Sequence, residues 1–313
     1  MRVGAVDCGT NSIRLLIADL DPASGSLSDI VRTSEVVRLG QGVDRTGMLD
    51  PEALARTLTA TARYAATCRA EGVQAVRFVA TSASRDAKNA GEFIDGVRAA
   101  FGDLDVSPEV VSGDEEAQLS FVGATGGLRA AELPGPYLVV DLGGGSTELV
   151  RGLAQVESGI SLDVGSVRLT ERHLHGDPPT LNEIANATVD VELALARAAD
   201  EVDLTGIGTV VGLAGSITTI TAMALDLPSY QPARIHLAEL LVEDHELACT
   251  RLLTMTRAER AGLGFMHPGR IDVIGAGALV WQLVLARVAS RSPGVRVVTS
   301  EHDILDGIAL SLA

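Results

Sequence analysis

The 313-residue sequence predicts an α/β protein of two similar halves with a substrate cleft between them. Three observations carry this. Apolar strand-like runs ending in small polar turns alternate with helical segments along the chain. The pattern D-x-G-x-x-S occurs at Asp7, Gly9 and Ser12 and again at Asp141, Gly143 and Ser146, each time after an apolar strand. The chain is also long enough for two domains that each bury a core.

Composition narrows the class. With 46% hydrophobic and 21% charged residues the chain reads as a globular enzyme. A formal charge of −16 argues against a binder of nucleic acid or an anionic membrane, which should show a basic face, so neither is expected as a partner. Lys88 is the one lysine, so nearly all positive charge is arginine, the side chain suited to bidentate phosphate contact. Cys8, Cys68 and Cys249 are far apart and odd in number, which indicates neither a disulfide framework nor a zinc site. No signal-like start opens the chain and no run of ~20 apolar residues appears, so a cytoplasmic protein is expected.

The most informative stretch is Tyr137 to Arg151. An apolar strand ends in Asp141; Gly143, Gly144 and Gly145 follow, then Ser146, Thr147 and Glu148. Glycines accept φ > 0 and let backbone N–H groups approach an oxyanion, and an acid at a strand end can hold Mg²⁺ together with water and phosphate oxygens. A glycine-rich hairpin turn has the same local sequence. The second copy, Val3 to Leu16, favours two phosphate-cradling hairpins, with Thr10, Asn11 and Ser12 in the first.

In order, a strand is expected over Ile30 to Arg38, then a glycine-containing loop. A helix over Pro51 to Glu71 is capped by Asp50 and ended by Gly72. A buried strand, Val76 to Ala80, delivers Thr81, Ser82, Ser84 and Arg85 at its carboxyl end, where ligands of open α/β sheets collect; a helix N-cap by Thr81 or Ser82 explains the same hydroxyls. A helix over Ala90 to Phe101 and a strand near Glu109 to Val111 lead to Ser112-Gly113-Asp114-Glu115-Glu116. Three acids at a helix start complement its dipole, and any one of them projected into a cleft can act as general base on water. Charge pattern does not choose among them.

The second half repeats the plan. Leu162 to Arg168 is expected to end a strand in a small-residue turn with an arginine, and Pro178-Pro179-Thr180 to precede a helix reaching Asp200. Val210 to Leu213 is a strand opening through Ala214-Gly215-Ser216 into a helix, a third candidate anion contact. Amphipathic helices are expected between Leu237 and Arg260, an apolar helix over Val273 to Ala289, a strand at Val295 to Val298 and a helix over Asp303 to Leu312. The six histidines show no metal-ligand spacing.

Taken together, DCGTNS, TSASRDA, SGDEEA, DLGGGSTE, GSVRLTE, LAGSITTI and PGRIDVIGAGA resemble the exopolyphosphatase and guanosine pentaphosphate phosphohydrolase family, of the actin, sugar kinase and Hsp70 ATPase superfamily. The resemblance implies two ribonuclease-H-like domains, 1–122 and 123–299, with the last helix, about 300–313, returning to the first. It implies release of orthophosphate from inorganic polyphosphate, or hydrolysis of guanosine pentaphosphate, with Mg²⁺ or Mn²⁺, by a homodimer. It makes Glu116 the base on the lytic water and Asp141, Glu148 and Asp7 the metal-associated acids. Phosphate falls to Thr10, Asn11, Ser12, Ser82, Arg85, and Gly143, Gly144, Gly145 and Ser146.

Two departures stand out. Longer relatives append a C-terminal helical domain absent here, which implies the short two-domain form. Where relatives often read leucine-arginine-glutamate-glycine, this chain has Ile304-Leu305-Asp306-Gly307, without the arginine. A kinase on this fold would need an acceptor site, whereas SGDEEA favours water; a non-catalytic actin-like protein is the remaining alternative.

Overall fold

The computed structural model describes residues 1–313 except 105, 129 and 130. By internal contacts the chain divides into Met1–Gly123 with Ile304–Ala313, and Ala124–Asp303.

The first unit runs β1 (Arg2–Cys8), β2 (Ser12–Asp21), β3 (Ser26–Val36), α1 (Val43–Thr46), α2 (Pro51–Ala70), β4 (Ala75–Ala80), α3 (Ser82–Asp86), α4 (Ala90–Phe101), β5 (Glu109–Val110) and α5 (Gly113–Thr125). The second runs β6 (Tyr137–Leu142), β7 (Thr147–Gly152), β8 (Val156–Leu162), α6 (Ser166–Arg172), α7 (Leu181–Glu201), β9 (Thr209–Leu213), α8 (Ala214–Ala224), α9 (Pro232–Ile235), β10 (Ala238–Leu240), α10 (Val242–Thr254), α11 (Arg257–Ala261), α12 (Ile274–Arg291) and β11 (Arg296–Thr299). The closing helix α13 (Ile304–Leu310) belongs to the first unit.

The two sheets share one plan. In the first the order is β3-β2-β1-β4-β5, with β1, β2 and β3 antiparallel neighbours and β4 and β5 parallel to β1. In the second the order β8-β7-β6-β9-β11 repeats it, and β10 adds an antiparallel edge. Both are ribonuclease-H-like sheets. Each central strand therefore ends beside a hairpin on one side and a parallel strand on the other.

Side-chain alternation sorts the first unit into two cores. Val6, Cys8, Ile13, Leu15 and Phe78 join Tyr64, Phe93 and Phe101 on one face; Val3, Ala5, Leu16 and Val79 join Leu119 and Ile308 on the other. By this period of two, Asp7 on β1, Arg14 on β2 and Arg77 on β4 belong to the face covered by α5 and α13. Helix α13 is pinned there by Asp306, which accepts from Arg32 Nη1 at 3.1 Å and Nη2 at 2.6 Å. Gly307 allows the approach, since a Cβ there would lie 2.0 Å from the Leu119 carbonyl oxygen.

Several expected elements differ in extent. The strand expected from Ile30 starts at Ser26 and stops at Val36, because the amides of Val37 and Arg38 turn to Asn11 O. Arg168 lies inside α6 rather than at a strand end, because Leu162 closes β8 and the helix starts at Ser166. The segment after Leu237 holds the expected helices α10 and α11 but opens on β10, which pairs residue for residue with β11. The three cysteines are free and buried. Among the described residues no helix is long and apolar enough to cross a membrane.

The second unit has a single core around Trp281 of α12, whose Nε1 donates to His245 Nδ1 of α10 at 3.2 Å. The His245 ring is fully buried, and its Nε2 has no hydrogen-bond partner among the described residues. Burial lowers its pKa to about 4, against a smaller opposing pull from Asp244. Unfolded His245 titrates near 6.5, so between pH 6.5 and 4 the unfolded chain binds more protons and stability falls as pH falls. The pKa difference corresponds to a loss of about 3 kcal/mol once pH is below 4. Urea unfolding of wild type and His245→Leu at stepped pH values is expected to show that extra acid loss in the wild type alone.

Candidate active site

In the first unit the singled-out residues gather where β1 and β4 end. β1 turns into β2 through a loop closed by Gly9 N donating to Ser12 O at 2.9 Å. The segment after β3 grips this loop from outside: Val37 N and Arg38 N donate to Asn11 O at 3.0 and 2.9 Å, and Gly40 N to Thr10 O at 2.8 Å. A Cβ on Gly40 would lie 2.3 Å from Thr10 Cγ2, so only glycine fits. Ser12 opens β2 and is half-buried, like Asn11. Thr10 and Ser82, both buried, share a hydroxyl–hydroxyl bond of 2.8 Å that joins the first loop to the turn after β4. Thr81 occupies the N-cap position of α3 without a side-chain capping bond.

The structure separates the three acids. Asp114 is exposed and Glu115 half-buried, whereas Glu116 is buried in the first turn of α5. Arg85 Nη1 donates to Glu116 Oε2 at 3.0 Å and to Val111 O at 2.9 Å. The helix N-terminus and the guanidinium both set positive charge against this carboxylate. The arrangement supplies a buried, oriented proton acceptor in the same unit as a loop rich in hydroxyls.

In the second unit the hairpin between β6 and β7 repeats the geometry: Gly143 N donates to Ser146 O at 3.0 Å. The start of α6 holds the loop by its carbonyls. Ser166 N donates to Gly143 O at 3.0 Å, Val167 N to Gly144 O at 2.8 Å, and Arg168 Nε to Gly145 O at 2.6 Å. The backbone amides of Gly144 and Gly145 donate to no protein acceptor among the described residues. A loop fixed by its carbonyls with amides available is suited to an anion. The expectation that these glycines are needed for φ > 0 does not hold at Gly9 or Gly143, neither of which is left-handed. Space is tight at Gly143, where a Cβ would approach Ser146 O to 3.2 Å, but not at Gly9, where the nearest atom would be Ser12 O at 3.7 Å.

The repeated acids have different partners. Asp7 is opposite Arg14 across β1 and β2, and its Oδ2 accepts from Arg14 Nε at 2.9 Å and Nη2 at 2.7 Å. At the equivalent place Asp141 is opposite Glu148. Both are buried, 7% and 1% exposed, and Glu148 accepts from Ser161 Oγ at 2.7 Å. Like charges directly opposed on a sheet are destabilising, which a bound cation would relieve. Asp7 already has a guanidinium on it, so the fit to a divalent ion is better at Asp141 and Glu148. Among the described residues no three His, Cys, Asp or Glu side chains group around one point, so an ion there would complete its shell with water and phosphate oxygens, as Mg²⁺ commonly does.

Residues 16–312 match the model of the Ppx/GppA phosphatase family. The chain belongs to this family. It is 49% identical over 316 residues to a Mycobacterium tuberculosis protein named exopolyphosphatase 2, covering 100% of this chain and 98% of that one. A solved exopolyphosphatase-like protein is similar to it with a TM-score of 0.95 at 44% identity, covering 100% and 97% of the two chains. The Aquifex aeolicus Ppx/GppA family member has a TM-score of 0.79 at 29% identity, with 100% and 97% covered.

Within this Ppx/GppA member, sequence reasoning overlooked the residues that hold the loops. Gly165 is the clearest case. A Cβ there would lie 2.5 Å from Gly144 O and 2.7 Å from Gly145 C, so its missing side chain lets α6 reach the loop. Its signal was the G-S pair of GSVRLTE. Gly165→Ala is expected to cost about 1–3 kcal/mol, the usual range for overpacking, in urea unfolding. Hydrogen exchange should quicken at residues 143–146; unchanged exchange there would show that α6 does not hold the loop.

Proposed function

We propose that this Ppx/GppA protein is an exopolyphosphatase, hydrolysing the terminal phosphoanhydride bond of inorganic polyphosphate. The observation that carries the reading is Glu116, a buried carboxylate held by Arg85 in the same unit as the Thr10–Ser82 hydroxyl pair. The similarity to a protein named exopolyphosphatase 2 supports the same substrate class.

Glu116 takes a proton from water as the water oxygen attacks the terminal phosphorus. The bridging P–O bond breaks, releasing orthophosphate and a polymer one unit shorter. Phosphoryl transfer asks mainly for positioning and charge neutralisation. In the first unit Thr10, Ser12 and Ser82 offer hydroxyls and Arg85 a guanidinium to phosphate oxygens. Within the second unit, the amides of Gly144 and Gly145 and the hydroxyl of Ser146 form an anion cradle of their own. Asp141 and Glu148 would hold Mg²⁺ or Mn²⁺, which when bound neutralises phosphate charge. A homodimer in the cytoplasm completes the reading, and three free cysteines suit a reducing compartment.

The test is orthophosphate release with Mg²⁺ from short and long polyphosphate and from guanosine pentaphosphate. Release from polyphosphate is expected; release from guanosine pentaphosphate alone would move the substrate, and none from any would overturn the hydrolase. Glu116→Gln is expected to lose ~10²-fold or more in kcat. For Glu148→Gln the Mg²⁺ concentration giving half-maximal rate should rise about 10-fold, the scale for weakening a metal site.

A further inference from the structure

The first turn of α5 is held by two arginines from the same strand-and-turn. Arg85 takes Glu116, and Arg77, on β4, takes Glu115: Arg77 Nη2 donates to Glu115 Oε1 at 2.5 Å and to Glu109 Oε2 at 2.8 Å. The other arm, Nη1, donates to Ser311 Oγ at 2.8 Å, just beyond the end of α13. Ser311 is tied back to that helix through Ile308 O at 2.7 Å. One turn further along α5, Gly307 lets the α13 backbone press on Leu119.

Glu115 and Leu119 are four apart and so share one face of α5, and Glu116 lies about 100° round the axis from Glu115. Contacts that fix the Glu115–Leu119 face therefore fix the direction in which Glu116 points. The ion pairs of Arg77 add little stability by themselves, because Glu109 and Glu115 are 49% and 43% exposed and such pairs contribute only about 0–1 kcal/mol. We propose that α13 is a positioning element for the base, acting through Arg77 and Glu115 to set the rotation of α5. This rests on the reading of Glu116 as the base.

The experiment measures kcat and KM for polyphosphate in Arg77→Gln, Arg77→Lys and Glu115→Gln, each also in a Glu116→Gln background. Misplacing a reacting group by about 1 Å can cost up to 10²-fold. Arg77→Gln and Glu115→Gln are each expected to lower kcat about 10-fold with KM nearly unchanged, and Arg77→Lys to recover part of it. In the Glu116→Gln background the same changes should have no further effect, since there is no base left to aim. The Glu115 side chain is 43% exposed, so its variant keeps the fold and separates a positioning loss from a stability loss. Equal losses in both backgrounds, or no loss in the wild-type background, would overturn the positioning role. Full activity of Glu116→Gln alone would instead overturn the assignment of the base.

Discussion

Each sheet ends its central strand in a buried aspartate, and a buried carboxylate needs a counter-charge or the penalty is several kcal/mol. The rest of each hairpin follows from how that need is met. In the first unit the opposing residue on β2 is Arg14, and the charge is closed within the protein. In the second the opposing residue on β7 is Glu148, so two buried acids face each other. One position on one strand thus sets an arginine against the aspartate in one hairpin and a glutamate against it in the other, although the turns themselves close with the same backbone bond.

The second constraint is close approach. Gly40 lies against Thr10, Gly165 against Gly144, and Gly307 against Leu119, each at a separation that no Cβ could occupy. The first two hold the proposed phosphate loops and the third seats the helix that follows the Glu116 turn. Protein interiors are close-packed, so such contacts transmit position from element to element. These three glycines, none of them left-handed, act through space and not through backbone freedom.

Much of this was legible beforehand. The repeat of Asp7-x-Gly9-x-x-Ser12 at Asp141 anticipated two sheets of one topology, because a strand-turn-strand unit is local in sequence. The Asp50 cap and the helix from Pro51 were readable for the same reason: Asp50 accepts from Glu52 N and Ala53 N four residues or fewer away. Edge strand β10 was not, since three residues, Ala238–Leu240, carry no period and become a strand only by pairing with β11.

The sequence by itself determined most of the elements, the repeated hairpins, and the set of hydroxyls, acids and arginines available for phosphate chemistry. Tertiary structure decided which of Asp114, Glu115 and Glu116 is buried, that Asp7 is opposite Arg14 while Asp141 is opposite Glu148, and that α13 meets α5. The reason is physical. Residue type and spacing define what a local segment can form, whereas burial and charge pairing depend on residues such as Arg32 and Asp306, or Arg77 and Ser311, that only folding brings together.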